Sequence, residues 1–279
     1  PTSTVFVPGQ NFRDAIASLG PTSVKKSFKR ANAAPPTGAA TTVVSTADSE
    51  VPAYVWYDPA AQSILWWSDA DIAYANEDSS YMFHDIGDNL SDMELIDMAG
   101  INTSRVKNMS YMFHGGKWII KRINLSGLNT SNVEDMSHMF GSYTMGANFD
   151  LDPIDFSSFD TSKVTNMESM FDGSYLPSID IHNFNTSNVT NMRYMFANLG
   201  RPTTLNLSGL DVRSVRDFGQ FFWESRDKIT SLNLSGWDLS HITDMSGFFS
   251  NMKNLEHLNL QDFKTTNVTN MKAMFNRMP

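Results

Sequence analysis

Apolar residues recur along this chain at a spacing that suits one face of a helix. Between Asn185 and Phe196 they fall at Val189, Met192, Met195 and Phe196. Steps of three and four residues place such side chains on a single helical face. Thr186 and Ser187 precede them and are residue types that favour helix starts. The stretch therefore predicts a short capped helix.

The same twelve-residue pattern occurs seven times between residues 102 and 275. Its copies begin at residues 102, 129, 160, 185, 211, 238 and 264, with periods of 27, 31, 25, 26, 27 and 26 residues. Self-similarity at a period of this size is typical of proteins that stack one structural unit upon the next.

A second pattern precedes each predicted helix, with apolar residues at its positions 1, 4, 6 and 9. In the last copy these are Leu255, Leu258, Leu260 and Phe263, whereas one copy has Pro202 at position 1. The pattern predicts a strand over positions 1 to 6. A strand and a helix in every copy is the leucine-rich-repeat arrangement.

These patterns predict an α/β fold and three regions. We expect a leucine-rich-repeat-like solenoid of about seven 25–31-residue strand-helix coils over residues 93–279, with an N-terminal β-hairpin cap. Residues 51–92 would form that aromatic hairpin and a half repeat. Residues 1–50 would be a basic segment and a linker. Because the last apolar helix would need a covering coil, we also expect the array to continue beyond Pro279.

The aromatic residues of the predicted hairpin allow two interpretations. Two apolar runs flank Asp58-Pro59, which is a turn signal between two strands. Trp56, Tyr57, Trp66 and Trp67 lie in these runs. They would either cover the first coil, as terminal caps of repeat arrays do, or form a platform on which sugars stack. The need for a cap favours the first interpretation.

Charge is distributed unevenly and argues against nucleic acid as a partner. The net charge is -9, and residues 31–104 contain twelve Asp and Glu but no Lys or Arg. The preceding segment is basic, with Lys25, Lys26, Lys29 and Arg30. No apolar run approaches the length of a membrane span, so we expect no direct membrane insertion by this part of the protein.

Nothing in the sequence predicts catalysis, a cofactor or a metal. There are no cysteines, and the six histidines show no ligand spacing. Eleven of the 17 methionines occupy the predicted core positions, which favours packing over soft-metal binding. The acidic stretch from Asp85 to Asp92 lacks the ligand order of an EF-hand, so calcium there is the weaker alternative. We therefore expect a protein that is not an enzyme.

Two groups of residues are candidates for ligand binding. The residue between strand positions 4 and 6 is always Asp or Asn, including Asp155, Asp180, Asn206 and Asn233. This row would either hydrogen-bond neighbouring coils or offer a polar strip to sugar hydroxyls or peptide. The longest connecting loops contribute Trp118, Tyr143, Met145 and Phe149, which the core pattern does not require. Such residues either anchor an interface or pack back on the coils.

The repeat resembles a known family. The string D/N-T-S-x-V-x-N-M-x-x-M-F, joined to L-x-L-S, is similar to the BspA-like leucine-rich-repeat surface proteins of Gram-positive bacteria and mycoplasmas, over residues 79–275. The resemblance implies a solenoid on the bacterial cell surface, associated with adhesion, and brings no catalytic residues. The chain departs from the string at Val212, Phe218, Leu239 and Lys264.

Together these observations favour a non-enzymatic extracellular binding or adhesion module of a bacterial surface protein. Its solenoid face and loops would bind a host or microbial surface protein or glycan. The alternative is a structural spacer that projects other domains from the cell. A pure spacer should keep nearly identical coils, whereas these loops differ in their aromatic residues, so binding is favoured.

Overall fold

The structure is a computed structural model that describes residues 1–19, 25–86, 93–115, 120–141, 151–201 and 203–279. Strands dominate the regular secondary structure of these ranges. In chain order the elements are β1 (Ser3–Val5), α1 (Gly9–Ala17), β2 (Ser27–Arg30), β3 (Thr41–Val43), β4 (Ala53–Asp58), β5 (Ser63–Ser68), β6 (Ile72–Tyr74), β7 (Met93–Asp97), β8 (Ile101–Asn102), β9 (Ile120–Asn124), β10 (Thr203–Asn206), β11 (Ile229–Asn233) and β12 (His257–Asn259).

The strands form three sheets. The largest has the order β3-β4-β5-β2-β7-β9, and the smaller ones are β1-β6-β8 and β10-β11-β12. β4 and β5 form an antiparallel hairpin that pairs Ala53 with Ser68 at its open end. β2 lies between β5 and β7 and is parallel to both. The basic segment that the sequence analysis joined to a linker thus occupies the middle of the largest sheet.

The predicted fold class is wrong, because the repeat does not contain helices. α1 is the one helix in the described ranges, and the structure is mostly β-sheet in three sheets. Each N-M-x-x-M-F segment is instead a run of tight turns. In the third copy the N–H of Met170 bonds to the carbonyl of Met167, and that of Asp172 to Ser169, three residues back in each case. A leucine-rich-repeat solenoid of strand-helix coils is therefore excluded.

A backbone angle explains why the turns do not continue as a helix. The fourth residue of the segment has a positive φ in all copies, from 53° at Ser169 to 65° at Gly247. A right-handed helix requires negative φ, so its hydrogen bonding stops there. The Asp or Asn that opens each segment binds the N–H two residues on, as Asn166 does for Glu168 at 2.9 Å. Since Asx turns and helix N-caps favour the same residue types, the sequence pattern resembled a helix start.

Two of the predicted strands are also missing. The copies at residues 151–156 and 176–181 have no strand assignment. Pro153 and Pro177 lie inside these segments and lack the N–H that a ladder needs. The strands that do form in the repeats pair in parallel, with Leu205, Leu232 and Leu258 side by side in β10, β11 and β12.

The turn segments of successive copies are joined by backbone hydrogen bonds. The N–H groups of Met109, Tyr111 and Phe113 donate to three alternate carbonyls of the next copy, at 2.9–3.0 Å. Four further pairs of copies repeat this arrangement, with donors in residues 136–140, 167–171, 192–196 and 245–249. We call it the turn ladder. It allows copies that have neither helix nor strand to stack.

Beneath the turn ladder, phenylalanine rings form a column through the core. The rings of Phe83, Phe113, Phe140, Phe171 and Phe196 stack with successive centroid separations of 5.5, 5.6, 6.0 and 5.6 Å. The methionines of the N-M-x-x-M-F segments are buried, apart from Met271, which is 47% exposed. Offset aromatic stacking adds to the burial of apolar area, so each copy stabilises the next.

A buried threonine makes the second connection between copies. Thr161 is 1% exposed. Its hydroxyl donates to the carbonyl of Asn185 at 2.9 Å and accepts from the N–H of the same residue at 2.8 Å. Thr103 and Thr130 make the same pair of bonds to Asn129 and Asp160. One hydroxyl thus makes both of the hydrogen bonds that a backbone N–H and carbonyl would otherwise make to the next copy.

Both connections are interrupted at one place. In residues 203–279 no turn-ladder bond joins the copy at Asp217 to the copy at Asp244, and Val212 replaces the bridging threonine. The half-buried Arg226 crosses this gap, and its guanidinium donates to the carbonyls of Phe248 and Ser250, at 2.7 and 3.0 Å. Two of the departures from the repeat, Val212 and Phe218, therefore coincide with a change in stacking.

Three histidines lie together near the first full copies of the repeat. The rings of His84 and His114 are 5.3 Å apart and stacked, and His138 lies 6.3 Å from His114. Burial, together with the neighbouring His84 and His138, lowers the pKa of His114 to about 4, although Asp85 opposes the shift. Burial also lowers the pKa of His84 and of His138. All three are neutral in the folded protein at pH 7.

We predict that the change Thr161→Val lowers the free energy of unfolding by about 2 kcal/mol, because it leaves the N–H and carbonyl of Asn185 without partners. The matched control is Thr165→Val in the same copy, whose side chain is exposed. We expect its effect to stay within about 0.5 kcal/mol. Urea unfolding measures both, and equal effects would show that the buried hydroxyl contributes nothing.

We predict that acid destabilises the protein partly through His114. Because its pKa is lower in the folded than in the unfolded chain, the unfolded chain binds more protons between about pH 6.5 and pH 4. Stability is complete above this window and falls by roughly 1–3 kcal/mol as the pH falls through it. The variant His114→Gln should show a shallower decline in urea unfolding at pH 7, 6, 5 and 4. The same slope in both proteins would contradict the prediction.

Candidate functional site

One face of the repeats carries a strip of Asp and Asn side chains. The strip consists of Asp97, Asn124, Asp155, Asp180, Asn206, Asn233 and Asn259. In all seven, Oδ1 accepts a hydrogen bond from the N–H two residues later, at 2.9–3.2 Å. This Asx turn fixes the side chain but uses only one of its two terminal atoms. The other atom, Oδ2 of Asp or Nδ2 of Asn, remains for a second interaction.

Sheet pairing aligns members of this strip. Asn206, Asn233 and Asn259 are register partners in β10, β11 and β12. Asp97 and Asn124 are partners in β7 and β9, and Asn124 Nδ2 donates to Asp97 Oδ1 at 3.0 Å. In the part of the chain that the structure describes, this is the only side-chain bond between members of the strip. Hydrogen bonding between copies therefore does not account for the other members.

The carboxylates of Asp155 and Asp180 are exposed, and their pKa values lie below the usual value. The hydrogen bonds from Ser157 hold the pKa of Asp155 below its usual value. The His182 side chain lies 2.6 Å from Asp180 Oδ1, and this bond lowers the pKa of Asp180. Asn206 is exposed and Asn233 half-buried. The middle of the strip therefore presents negative charge, and its later members present amides.

A basic groove continues this face at its N-terminal end. It has a volume of about 580 Å³ and lies over β2, β7 and β9. Four cationic side chains line it: Lys26, Lys29, Lys121 and Arg122. Glu94 and Asp152 are the carboxylates among the lining residues. In a chain with a net charge of -9, this is a local excess of positive charge.

Comparison with a family model places the chain. The model described as "Mycoplasma protein of unknown function, DUF285" matches residues 77–199, 142–233 and 225–278. Together the matches span most of the chain. The chain belongs to the DUF285 family. Searches of the curated proteins and of the solved structures found no match.

In this DUF285 chain, the loop candidates Trp118, Tyr143, Met145 and Phe149 lie outside the described residues. So does most of the acidic stretch that was the alternative calcium site, from residue 87 to residue 92. The aromatic residues of the hairpin are described, and Trp66 is fully buried while Trp56 is 4% exposed. These two indoles are unavailable for stacking on a sugar.

The basic groove of this DUF285 chain was not among the sequence candidates. Lys26 and Lys29 were recognised as a basic segment, but no pattern predicted that β2 would enter the sheet beside β7. Arg122 stands at a strand position where three later copies have a small polar residue, Ser178, Thr204 or Ser231. That local departure was the one available signal.

Further chemistry finds no support in the described ranges. They contain no group of three or more His, Cys, Asp or Glu residues that could hold a metal ion. Within the same residues, no helix has the length and apolar character needed to cross a bilayer. The strip and the groove are thus the two polar surfaces that the geometry offers for recognition.

Proposed function

We propose that this chain is a non-enzymatic binding module of a bacterial surface protein, which holds a host or microbial surface protein or glycan. The observation that carries the proposal is the strip itself. Its side chains are fixed by Asx turns, yet in all of them except Asn124 one terminal atom remains for an interaction. Groups that are ordered before binding lose little entropy on binding, which favours affinity.

The chemistry of the strip suits hydroxyl-rich or peptide ligands. Carboxylates accept hydrogen bonds and amides donate them, so Asp180 and Asn206 together can satisfy a hydroxyl group or a peptide unit. Asp155 and Asn233 extend the same pattern to neighbouring copies. The resemblance of the repeat string to the BspA-like surface proteins supports an extracellular location and a role in adhesion.

A spacer that projects other domains is the second candidate. The observation in its favour is the turn ladder, which stacks copies that have little regular secondary structure. A spacer needs this stack but not an exposed row of fixed polar groups. The strip therefore favours binding over a purely structural role.

We predict that exchanging two outward groups of the strip weakens adhesion. The double variant Asp180→Asn/Asn206→Asp keeps Oδ1 and hence both Asx turns, and it leaves the net charge unchanged. It swaps only the second terminal atom of each side chain. We expect about a tenfold loss of binding to cells or glycans that the wild type binds, equivalent to about 1.4 kcal/mol.

The matched control makes the same exchange on the turn ladder. Asp135 and Asn166 also bind the N–H two residues later through Oδ1. The variant Asp135→Asn/Asn166→Asp should bind as the wild type does and melt at a similar temperature. Equal binding by both variants would remove the strip from the binding surface. Absence of wild-type binding across host cells, microbial cells and a glycan array would favour the spacer.

A further inference from the structure

The basic groove is built across three parallel strands. Ser27, Leu95 and Arg122 are register partners in β2, β7 and β9. Lys29 lies two residues after Ser27 and therefore on the same side of the sheet. Neighbouring strands are about 4.8 Å apart and each residue advances about 3.3 Å, so the backbones of Lys29 and Arg122 lie about 12 Å apart. Side chains of their length can reach one group between them.

The serine side chains on the floor of the groove shape the depression, but their hydroxyls donate no hydrogen bond to a ligand. Ser27 Oγ donates to Ser63 Oγ at 2.8 Å, and Ser63 Oγ donates to the carbonyl of Ala61 at 2.9 Å. Both serines are buried. Their small side chains create the depression, and their protons are used within the floor. Recognition in the groove therefore depends on the cations at its walls.

Three of these cations make no ion pair in the part of the chain that the structure describes. Within the described residues, no ion pair engages Lys26, Lys29 or Arg122. Like charges that share one groove repel each other, and an anion relieves this repulsion. Lysine binds phosphate as a point charge, and the arginine fork binds two oxygens of one group. A tetrahedral anion with several charged oxygens matches this set.

The charge of the remaining face restricts which class of ligand can carry that anionic group. Beyond the groove, the strip has ionised carboxylates at Asp155 and Asp180. A uniformly charged polyanion, such as nucleic acid, would be repelled there. Among the described residues, no aromatic side chain lines the groove, so these residues provide no platform for a planar base. A neutral, hydroxyl-rich chain with one anionic group fits both surfaces.

We propose that the basic groove binds the phosphate or sulfate group of an otherwise neutral glycan. The glycan part rests on the proposed function, because it assigns the uncharged part of the ligand to the strip. The anionic part rests on Lys26, Lys29 and Arg122, which line the groove together with the carboxylates of Glu94 and Asp152. Phosphate and sulfate share the tetrahedral geometry that this set recognises.

The test compares glycans that differ in one group. An array would carry galactose oligosaccharides with and without a 6-sulfate, and mannose oligosaccharides with and without a 6-phosphate. We expect the charged member of at least one pair to bind about tenfold more tightly at low salt. The preference should shrink at about 0.5 M salt, where screening acts over a few ångströms. The stronger pair distinguishes sulfate from phosphate.

Variants then assign the preference to the groove. In Lys29→Gln/Arg122→Gln we expect the charged-over-neutral ratio to fall below about threefold. Both side chains are exposed, so melting should not change. The control Lys253→Gln/Lys272→Gln removes the same charge from exposed positions of the last copies and should keep the full ratio. A ratio equally lost in both variants would indicate general electrostatics and overturn the proposal.

Three further results would overturn it. They are equal binding of charged and neutral members by the wild type, a full ratio in the groove variant, and binding to anionic lipid vesicles through Lys29 and Arg122 without binding to any charged glycan. The proposed function is tested separately, by the strip exchange. If the strip exchange abolishes adhesion while no glycan pair shows a preference, the binding module stands and the groove assignment falls.

Discussion

Backbone groups of each repeat copy are satisfied mainly by the next copy, and this constraint shapes the whole array. A run of tight turns bonds only some of its N–H and carbonyl groups internally, and a buried group without a partner costs free energy. The turn ladder supplies the missing partners for alternate residues. The hydroxyls of Thr103, Thr130 and Thr161 supply them where the backbones do not meet directly. A single copy lacks both, so stacking and folding are one process.

The same constraint explains how the stack changes along its length. Thr186 still donates to Asp211, but Val212 has no hydroxyl with which to reach the next copy. At the next step, Leu239 and Lys264 replace the threonine bridge with backbone bonds, from Leu239 N–H to Lys264 carbonyl at 2.9 Å. In residues 203–279 the departures from the repeat therefore alter how copies connect, which gives them a structural reason independent of any ligand.

Much of the packing could be predicted from the sequence, and the local conformation could not. The period and the buried positions followed from the recurrence of Val, Met and Phe. Spacings of three and four residues arise equally from a helix and from successive tight turns, so Met167 and Met170 could not distinguish them. Positive φ at Ser169 decides the matter, and side chains as different as tyrosine, histidine and serine occupy that position. Proline at positions 153 and 177 argues against a strand, whereas the apolar pattern at the same positions predicts one.

The two proposed recognition surfaces differ in how far they could be predicted from the sequence. The strip repeats with the array, so Asp155, Asp180, Asn206 and Asn233 were found from periodicity alone. The groove needs segments that lie far apart in the chain, because Lys29 of β2 and Arg122 of β9 are separated by β7 in the sheet. Only the strand order reveals that arrangement. The positive charge of this face lies at its N-terminal end, where the irregular N-terminal region meets the regular repeats. The rest of the face is polar and partly acidic.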